Sequence, residues 1–382
     1  MSMTRREFAG WAGSALICTT APALGEERKP PPMPKDAPGG EAAPRRDTIK
    51  CFCCDLNWAR AKNPPHSVRS SVPQDWAAVD AQEYFDWHRE FGNNVTFLQA
   101  YAFGGYAFYP TKLGPVAAGK GAELLPRLFE LSRKAGFPFW SYFCVGTDLG
   151  VAREKREWVI PDSAPGSSGN GFLAPESPWT DLLCDRIREF LAAYPVDWIL
   201  FDWFVYADLH VDRAKVRPAE FVKKPFQEII GRPMPERADD ITPAEHLKYK
   251  REVLARQFRR IRDTIRQTSR QTKFMFNVPY WEPDEKVWAG HPMLEESDGI
   301  FAECTEAAVM EWALRVRKPG QRVMTTIVGR QDGVTDPNTW RKWHARGCDF
   351  FGYAWGAPPD FRPLPLDAPA LRTVREAFKA MS

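Results

Sequence analysis

From residue 49 onward, short apolar runs alternate with longer stretches whose apolar residues recur every three or four positions. The short runs fall at 49–58, 94–101, 137–145, 198–201, 273–279, 298–303, 322–328 and 348–355, and each reads as a strand. The longer stretches predict helices over 75–91 (stopped by Gly92 and Asn93), 124–135 (closed by Gly136), 177–194, 242–271, 284–288, 306–317, 337–346 and 368–380. The fourth of these has Thr242 at the cap and Pro243 at the first helical position, a favoured start. Two connections are much longer. Residues 146–176 are polar and glycine-rich, and 205–241 are rich in proline and charge, with short helices expected within 215–230.

Strands that alternate with helices imply parallel pairing through crossovers. Eight such units over 48–382 predict an α/β chain folded as a (β/α)8 barrel, with long loops after strands three and four. An open doubly wound sheet is the competing architecture. No glycine-rich dinucleotide or P-loop fingerprint follows the first strand, which disfavours its cofactor-binding versions.

One strand organises the rest. Trp198-Ile199-Leu200-Phe201 carries no charge, which suits a parallel strand buried on both faces. It ends on Asp202, between Phe201 and Trp203. A carboxylate among apolar groups is costly unless it is paired or sits where the chain emerges. Asp202 is therefore expected at the C-terminal end of the strand, the end at which barrels bind ligands. The plainer alternative is a cap or an arginine partner.

The N-terminus adds a processing signal. Thr4-Arg5-Arg6-Glu7-Phe8-Ala9-Gly10 has the form of a twin-arginine export motif, a modest apolar segment follows, and Ala21-Pro22-Ala23 offers small residues for cleavage. This predicts a signal peptide over 1–23 that engages the twin-arginine export machinery and delivers a folded chain to the periplasm or beyond. Residues 24–47 are rich in Pro, Gly and Ala and read as a linker.

Net charge is +3, from 52 basic and 49 acidic residues. That balance gives no support for a nucleic-acid or membrane-surface partner. Of eight cysteines, Cys51, Cys53 and Cys54 cluster, but no Cys-x-x-Cys pairs recur at zinc spacing and the six histidines are scattered. Buried cysteines acting as small hydrophobes are the expected reading. The counts of 15 Trp and 25 Phe are high; many are expected in the core, and an excess of Trp also suits sugar stacking.

In a barrel the strand ends converge on one mouth. They supply Asp55, Asn57 and Trp58 from strand one, Gln99 and Tyr101 from strand two, and Tyr142 and then Asp148 from strand three. Asp202 and Trp203 come from strand four, and Asn277, Tyr280, Trp281 and Glu282 from strand five. Glu303 and Glu306 follow from strand six, Arg330, Gln331 and Asp332 from strand seven, and Tyr353 and Trp355 from strand eight. The His-x-His of metal-dependent amidohydrolases and the Gly-x-Ser-x-Gly elbow are missing, and no cofactor is expected. Carboxylates with aromatics suit glycoside cleavage, in which one carboxyl attacks the anomeric carbon or activates water and the other protonates the departing oxygen. Asp202 is assigned as nucleophile or base and Glu303 as general acid, its pKa raised by apolar neighbours such as Phe301. Glu306 and Glu282 are substitutes for the acid, and for Glu303 a salt bridge or helix cap is the alternative. Trp58, Tyr101, Trp203, Trp281 and Trp355 are candidate sugar platforms. Asp55, Asn57, Gln99, Asn277, Glu282 and Arg330 complete the binding set.

Pro175-Glu176-Ser177-Pro178-Trp179, followed by the strand that ends at Asp202, resembles barrel glycoside hydrolases related to α-L-fucosidases. There an N/E-S-P-aromatic turn opens a helix and the next strand ends in a V-D-G-I-x-F-D type motif. The resemblance implies a (β/α)8 hydrolase with Asp202 as nucleophile, acting with retention on a carbohydrate. Here V-D-G is replaced by Val196-Asp197-Trp198. The His-His-Asp-Gly stretch typical of fucosidases is absent, and strand two ends at Gln99-Ala100-Tyr101. Two other classes stand beside this reading: a catalytically inactive carbohydrate-binding barrel, and a metal-using hydrolase with Cys and His ligands.

Overall fold

The computed structural model describes residues 47–60, 68–160, 172–204, 206, 220–237, 240–278, 285–303, 307–328, 337–357, 366 and 369–381. The twin-arginine segment and linker residues 24–46 lie outside them. Eight parallel strands roll into a nearly closed barrel: β1 (Lys50–Arg60), β2 (Thr96–Gln99), β3 (Phe139–Cys144), β4 (Trp198–Asp202), β5 (Lys273–Val278), β6 (Gly299–Ala302), β7 (Arg322–Val328) and β8 (Asp349–Ala357). Hydrogen-bonded neighbours run β1-β8-β7-β6-β5-β4-β3-β2, so spatial order follows chain order. The returning helices are α1 (Ala81–Phe91), α2 (Leu124–Ala135), α3 (Trp179–Ala193), α4 (Pro243–Thr268), α5 (Ala307–Val316), α6 (Pro337–Ala345) and, after β8, α7 (Pro369–Ala380). Between β5 and β6 two short helices, Glu285–Trp288 and Pro292–Glu296, fill the place of a long one. The fold is the (β/α)8 barrel that the strand and helix pattern predicts.

Period-two alternation divides the core into two layers. Cys51, Cys53, Phe97, Trp140, Tyr142, Cys144, Trp198, Leu200, Met275, Phe301, Met324 and Phe351 fill the interior. Their strand neighbours Phe52, Leu98, Phe143, Phe201, Phe276 and Phe350 face the helices. Trp140 and Trp198 stack at 5.0 Å near the strand starts and plug the lower barrel. The described cysteines at 51, 53, 54 and 144 are buried and free, as small hydrophobes.

Acids at the strand starts hold the fold together. Asp197 accepts from the Phe139 N–H at 2.8 Å. Asp298 accepts from the Phe274 N–H and from Arg266. Asp349 accepts from the Ile49 N–H and takes both Arg322 bonds, at 2.6 and 2.7 Å.

The last seam is stitched by side chains. β1 and β2 share no backbone ladder among the described residues. Instead Asn93 accepts from the Phe52 N–H and donates to the Phe52 C=O, both at 3.1 Å. Asn94 accepts from the Lys50 N–H at 2.8 Å and donates to the Thr48 C=O at 2.8 Å. The two residues that follow the Gly92 cap of α1 thus complete the barrel.

Local boundaries differ from the sequence reading in four places. The 75–91 helix is a 3-10 turn, Pro73–Trp76, followed by α1, because Asp80 caps the helix by accepting from the N–H groups of Gln82 and Glu83. Strand two ends at Gln99, and Tyr101–Ala102 pairs with Tyr106–Ala107 as a small hairpin. The 146–176 connection holds a helix, Leu149–Glu154, capped by Asp148. Within 205–241, one helix, Glu220–Ile230, is described.

Replacing Asn93 with Ala leaves the Phe52 N–H and C=O buried without partners. That should lower stability by roughly 2–4 kcal/mol, read as a shift of the urea midpoint. A change below about 0.5 kcal/mol would mean the seam closes without Asn93.

Candidate active site

The strand ends gather a carboxylate cluster at the barrel mouth. Asp202 ends β4 on its inward face, two residues beyond Leu200. Its Oδ1 accepts from Asn277 Nδ2 and from the Trp203 N–H, each at 2.7 Å, and its Oδ2 accepts from the Tyr142 hydroxyl at 2.9 Å. Burial raises the Asp202 pKa, and these three donors pull it back toward the ionised form. The same Asn277 Nδ2 donates to Glu303 Oε2 at 2.5 Å. Two oxygens on one nitrogen cannot be farther apart than the sum of these distances, so Asp202 Oδ1 and Glu303 Oε2 lie within about 5.2 Å.

A third acid stands beside them. Asp55, on the inward side of β1, accepts through Oδ1 from the Asn57 N–H at 3.1 Å and from Gln99 Nε2 at 3.2 Å. Burial pushes its pKa up to about 7. The Asn57 N–H opposes that rise, and the nearby charge of Asp202 adds to it.

The backbone beneath the pair is tight. Trp203 has φ 55, the one positive value at a non-glycine among the described residues, and such a conformation persists only where the surroundings enforce it. The Val145 N–H donates to the Asp202 C=O at 2.8 Å. A Cβ added at Gly146 would stand 2.3 Å from the Trp203 carbonyl oxygen, so only glycine lets the two strand exits approach this closely. One side of the mouth is an aromatic wall. Trp58 stacks on Phe103 at 5.4 Å, Phe103 lies 5.9 Å from Trp203, and Trp203 lies 5.9 Å from Phe172.

Of the residues singled out in the sequence, the structure brings together Asp55, Gln99, Asp202, Asn277 and Glu303, with Trp58 and Trp203 on the rim. Asn57 and Gln99 are buried and act as supports rather than exposed contacts: Asn57 Oδ1 accepts from the Phe103 N–H at 2.7 Å, while Gln99 holds Asp55. Tyr101 is not at the mouth. Its ring is buried in the outer layer with the Arg186 guanidinium 4.2 Å above it, because the chain leaves the sheet after Gln99. Asp148 is likewise structural, in a buried ion pair with Arg186 at 2.7 Å. Trp355 lies on β8 in register with Asp55; its side chain is outside the description. Trp281, Glu282, Glu306, Arg330, Gln331 and Asp332 lie outside the described residues. The sequence reading left Tyr142 out of the binding set and missed Phe103 and Phe172 altogether. Tyr142 shares inward parity with Trp140 and Cys144, a signal present in the sequence.

No protein-family model matches the chain, and no curated protein matches it in sequence. Its likenesses are structural. α-L-Fucosidase isoenzyme 2 from Paenibacillus thiaminolyticus superposes with a TM-score of 0.64 at 15% identity, over 88% of this chain and 49% of that one. This chain therefore spans about half the length of that enzyme. The α-L-fucosidase from Lactobacillus casei in complex with fucose gives a TM-score of 0.45 at 12% identity, over 86% and 94% of the two chains. The Thermotoga maritima α-fucosidase gives 0.40 at 14%, over 79% and 58%. The chain is thus structurally similar to α-L-fucosidases and shares their barrel fold.

Proposed function

We propose that this chain is a glycoside hydrolase that cleaves by double displacement with net retention. The observation that carries the reading is the pair Asp202 and Glu303, held on one amide nitrogen. Their near oxygens lie within about 5.2 Å, a close approach that suits the ~5–5.5 Å carboxyl spacing of retaining enzymes. In the first step an Asp202 oxygen attacks the anomeric carbon while the bond to the leaving oxygen breaks, and that oxygen takes the proton of Glu303. In the second, Glu303 takes a proton from water, the water oxygen displaces Asp202, and the sugar leaves with its original anomeric configuration. Asn277, Tyr142 and the Trp203 N–H aim Asp202 and favour its ionised form against the effect of burial. Trp58 and Trp203 offer faces for stacking.

The likeness to the Paenibacillus enzyme makes an α-L-fucoside the first substrate to try, ahead of a panel of other 4-nitrophenyl glycosides. The Thr4–Gly10 motif supports export through the twin-arginine machinery. Lysines in place of Arg5 and Arg6 should retain the chain in the cytoplasmic fraction, and an unchanged distribution would remove this part of the reading.

Asp202→Asn should lower turnover at least about 10³-fold while ligand affinity, followed by tryptophan fluorescence, changes little. A chain that binds sugars equally well with and without Asp202, and turns over none of the panel, is instead a silent carbohydrate-binding barrel. The aromatic wall would serve that role without the acids.

A further inference from the structure

Glu176 joins two segments that both present aromatic rings to the mouth. The residue is half-buried, with its carboxyl end turned inward. Its Oε1 accepts from the Tyr206 hydroxyl at 3.1 Å and from the Tyr249 hydroxyl, and its own N–H turns to the same carboxyl. The two phenol residues are 1% and 0% exposed and pack edge to face with centroids 5.8 Å apart. Tyr249 belongs to α4, away from the mouth. Tyr206 belongs to the chain that leaves β4 through Asp202, Trp203 and Phe204.

The segment that carries Glu176 is itself pinned. The Leu173 N–H donates to the Gly146 C=O at 2.9 Å, and the Thr180 hydroxyl donates to the Pro175 C=O at 2.6 Å. Phe172 opens this segment, and its ring lies 5.9 Å from that of Trp203. The Glu176–Tyr206 hydrogen bond therefore ties together the backbones on which these two rings stand.

The tie falls where the backbone needs one. Trp203 has φ 55, and a side-chain-bearing residue keeps such a conformation only where the chain is held on both sides of it. Before the turn, the Val145 N–H holds the Asp202 C=O at 2.8 Å. After it, Phe204 packs on Phe276 at 4.7 Å, and the bond from Tyr206 to Glu176 adds the directional contact that apolar packing lacks. The turn held in this way sends the Trp203 N–H to Asp202 Oδ1 at 2.7 Å.

We propose that Glu176 is a positioning residue of the mouth: through Tyr206 it holds the left-handed turn at Trp203, and with it the N–H that aims Asp202 and the indole at the rim. Glu176 takes no part in bond making or breaking. The inference rests on the reading of Asp202 as nucleophile and Trp203 as a sugar platform, and names a residue on which both depend.

The test uses the full chain and compares two single-oxygen deletions. Tyr206→Phe removes the bond on the β4 side of Glu176, and Tyr249→Phe removes the one on the α4 side. Hydrogen exchange at the Trp203 N–H, followed by NMR, should speed up at least about tenfold in Tyr206→Phe and stay at the wild-type rate in Tyr249→Phe, with the amides inside β4 unchanged in both. Glu176→Gln keeps an oxygen for the phenols and should restore most of the protection that Glu176→Ala loses. On any glycoside the chain cleaves, Tyr206→Phe should lower kcat about tenfold and Tyr249→Phe less than about twofold. Equal effects of the two phenylalanine variants, an unchanged Trp203 exchange rate in Tyr206→Phe, or a glutamine no better than alanine would show a merely structural carboxyl and overturn the proposal. The two phenylalanine variants decide the matter if Glu176→Ala does not fold. A chain with this exchange pattern that cleaves no glycoside loses the hydrolase reading and keeps the hold on the turn. A chain that cleaves glycosides with Trp203 equally protected in every variant does the reverse.

Discussion

One amide nitrogen holds the centre of this molecule. Asn277 Nδ2 has two hydrogens, one directed at Asp202 and the other at Glu303. Hydrogen bonds to charged groups contribute about 1.5–3 kcal/mol each. Asn277 supplies two of these, and the Trp203 N–H and the Tyr142 hydroxyl add two more on Asp202. Together they fix the two acids on one amide nitrogen, which is how a barrel mouth keeps them close enough to act on one bond.

The barrel makes that arrangement possible by dividing its acids between two faces. Those at strand starts, Asp197, Asp298 and Asp349, take backbone N–H groups and arginines and tie the lower rim together. Those at strand ends, Asp55, Asp202 and Glu303, meet at the mouth instead. The close approach of the β3 and β4 exits bears on the same point. Gly146 admits the Trp203 carbonyl, and the left-handed turn at Trp203 directs its N–H back at the Asp202 carboxylate.

Much of this was legible in the sequence. Parallel strands covered on both faces read as apolar runs, so all eight were visible, and a lone carboxylate after such a run marks the mouth. Parity along a strand also indicated which side chains turn inward, but only as far as the strand continues. Tyr101 sits two residues after the inward Gln99 and would have faced the mouth had β2 gone on; the chain turns into a hairpin instead, and the ring is buried outside. Tyr142 posed the opposite difficulty. It pairs in register with Leu200, so its hydroxyl reaches Asp202 two residues further along the next strand, and that depends on a register that no single strand encodes. The Asn93 and Asn94 seam was likewise hidden, because a helix stop and a ladder substitute call for the same residue type.

The central claim is that Asp202 and Glu303 act as a closely spaced pair. Proton NMR of the sugar first released from a hydrolysed glycoside tests it most directly, before mutarotation mixes the anomers. The account predicts that the first-formed hemiacetal keeps the substrate's anomeric configuration. An inverted first product would contradict it, because inversion uses a water seated between carboxyl groups about 6.5–9.5 Å apart in place of a closely spaced pair.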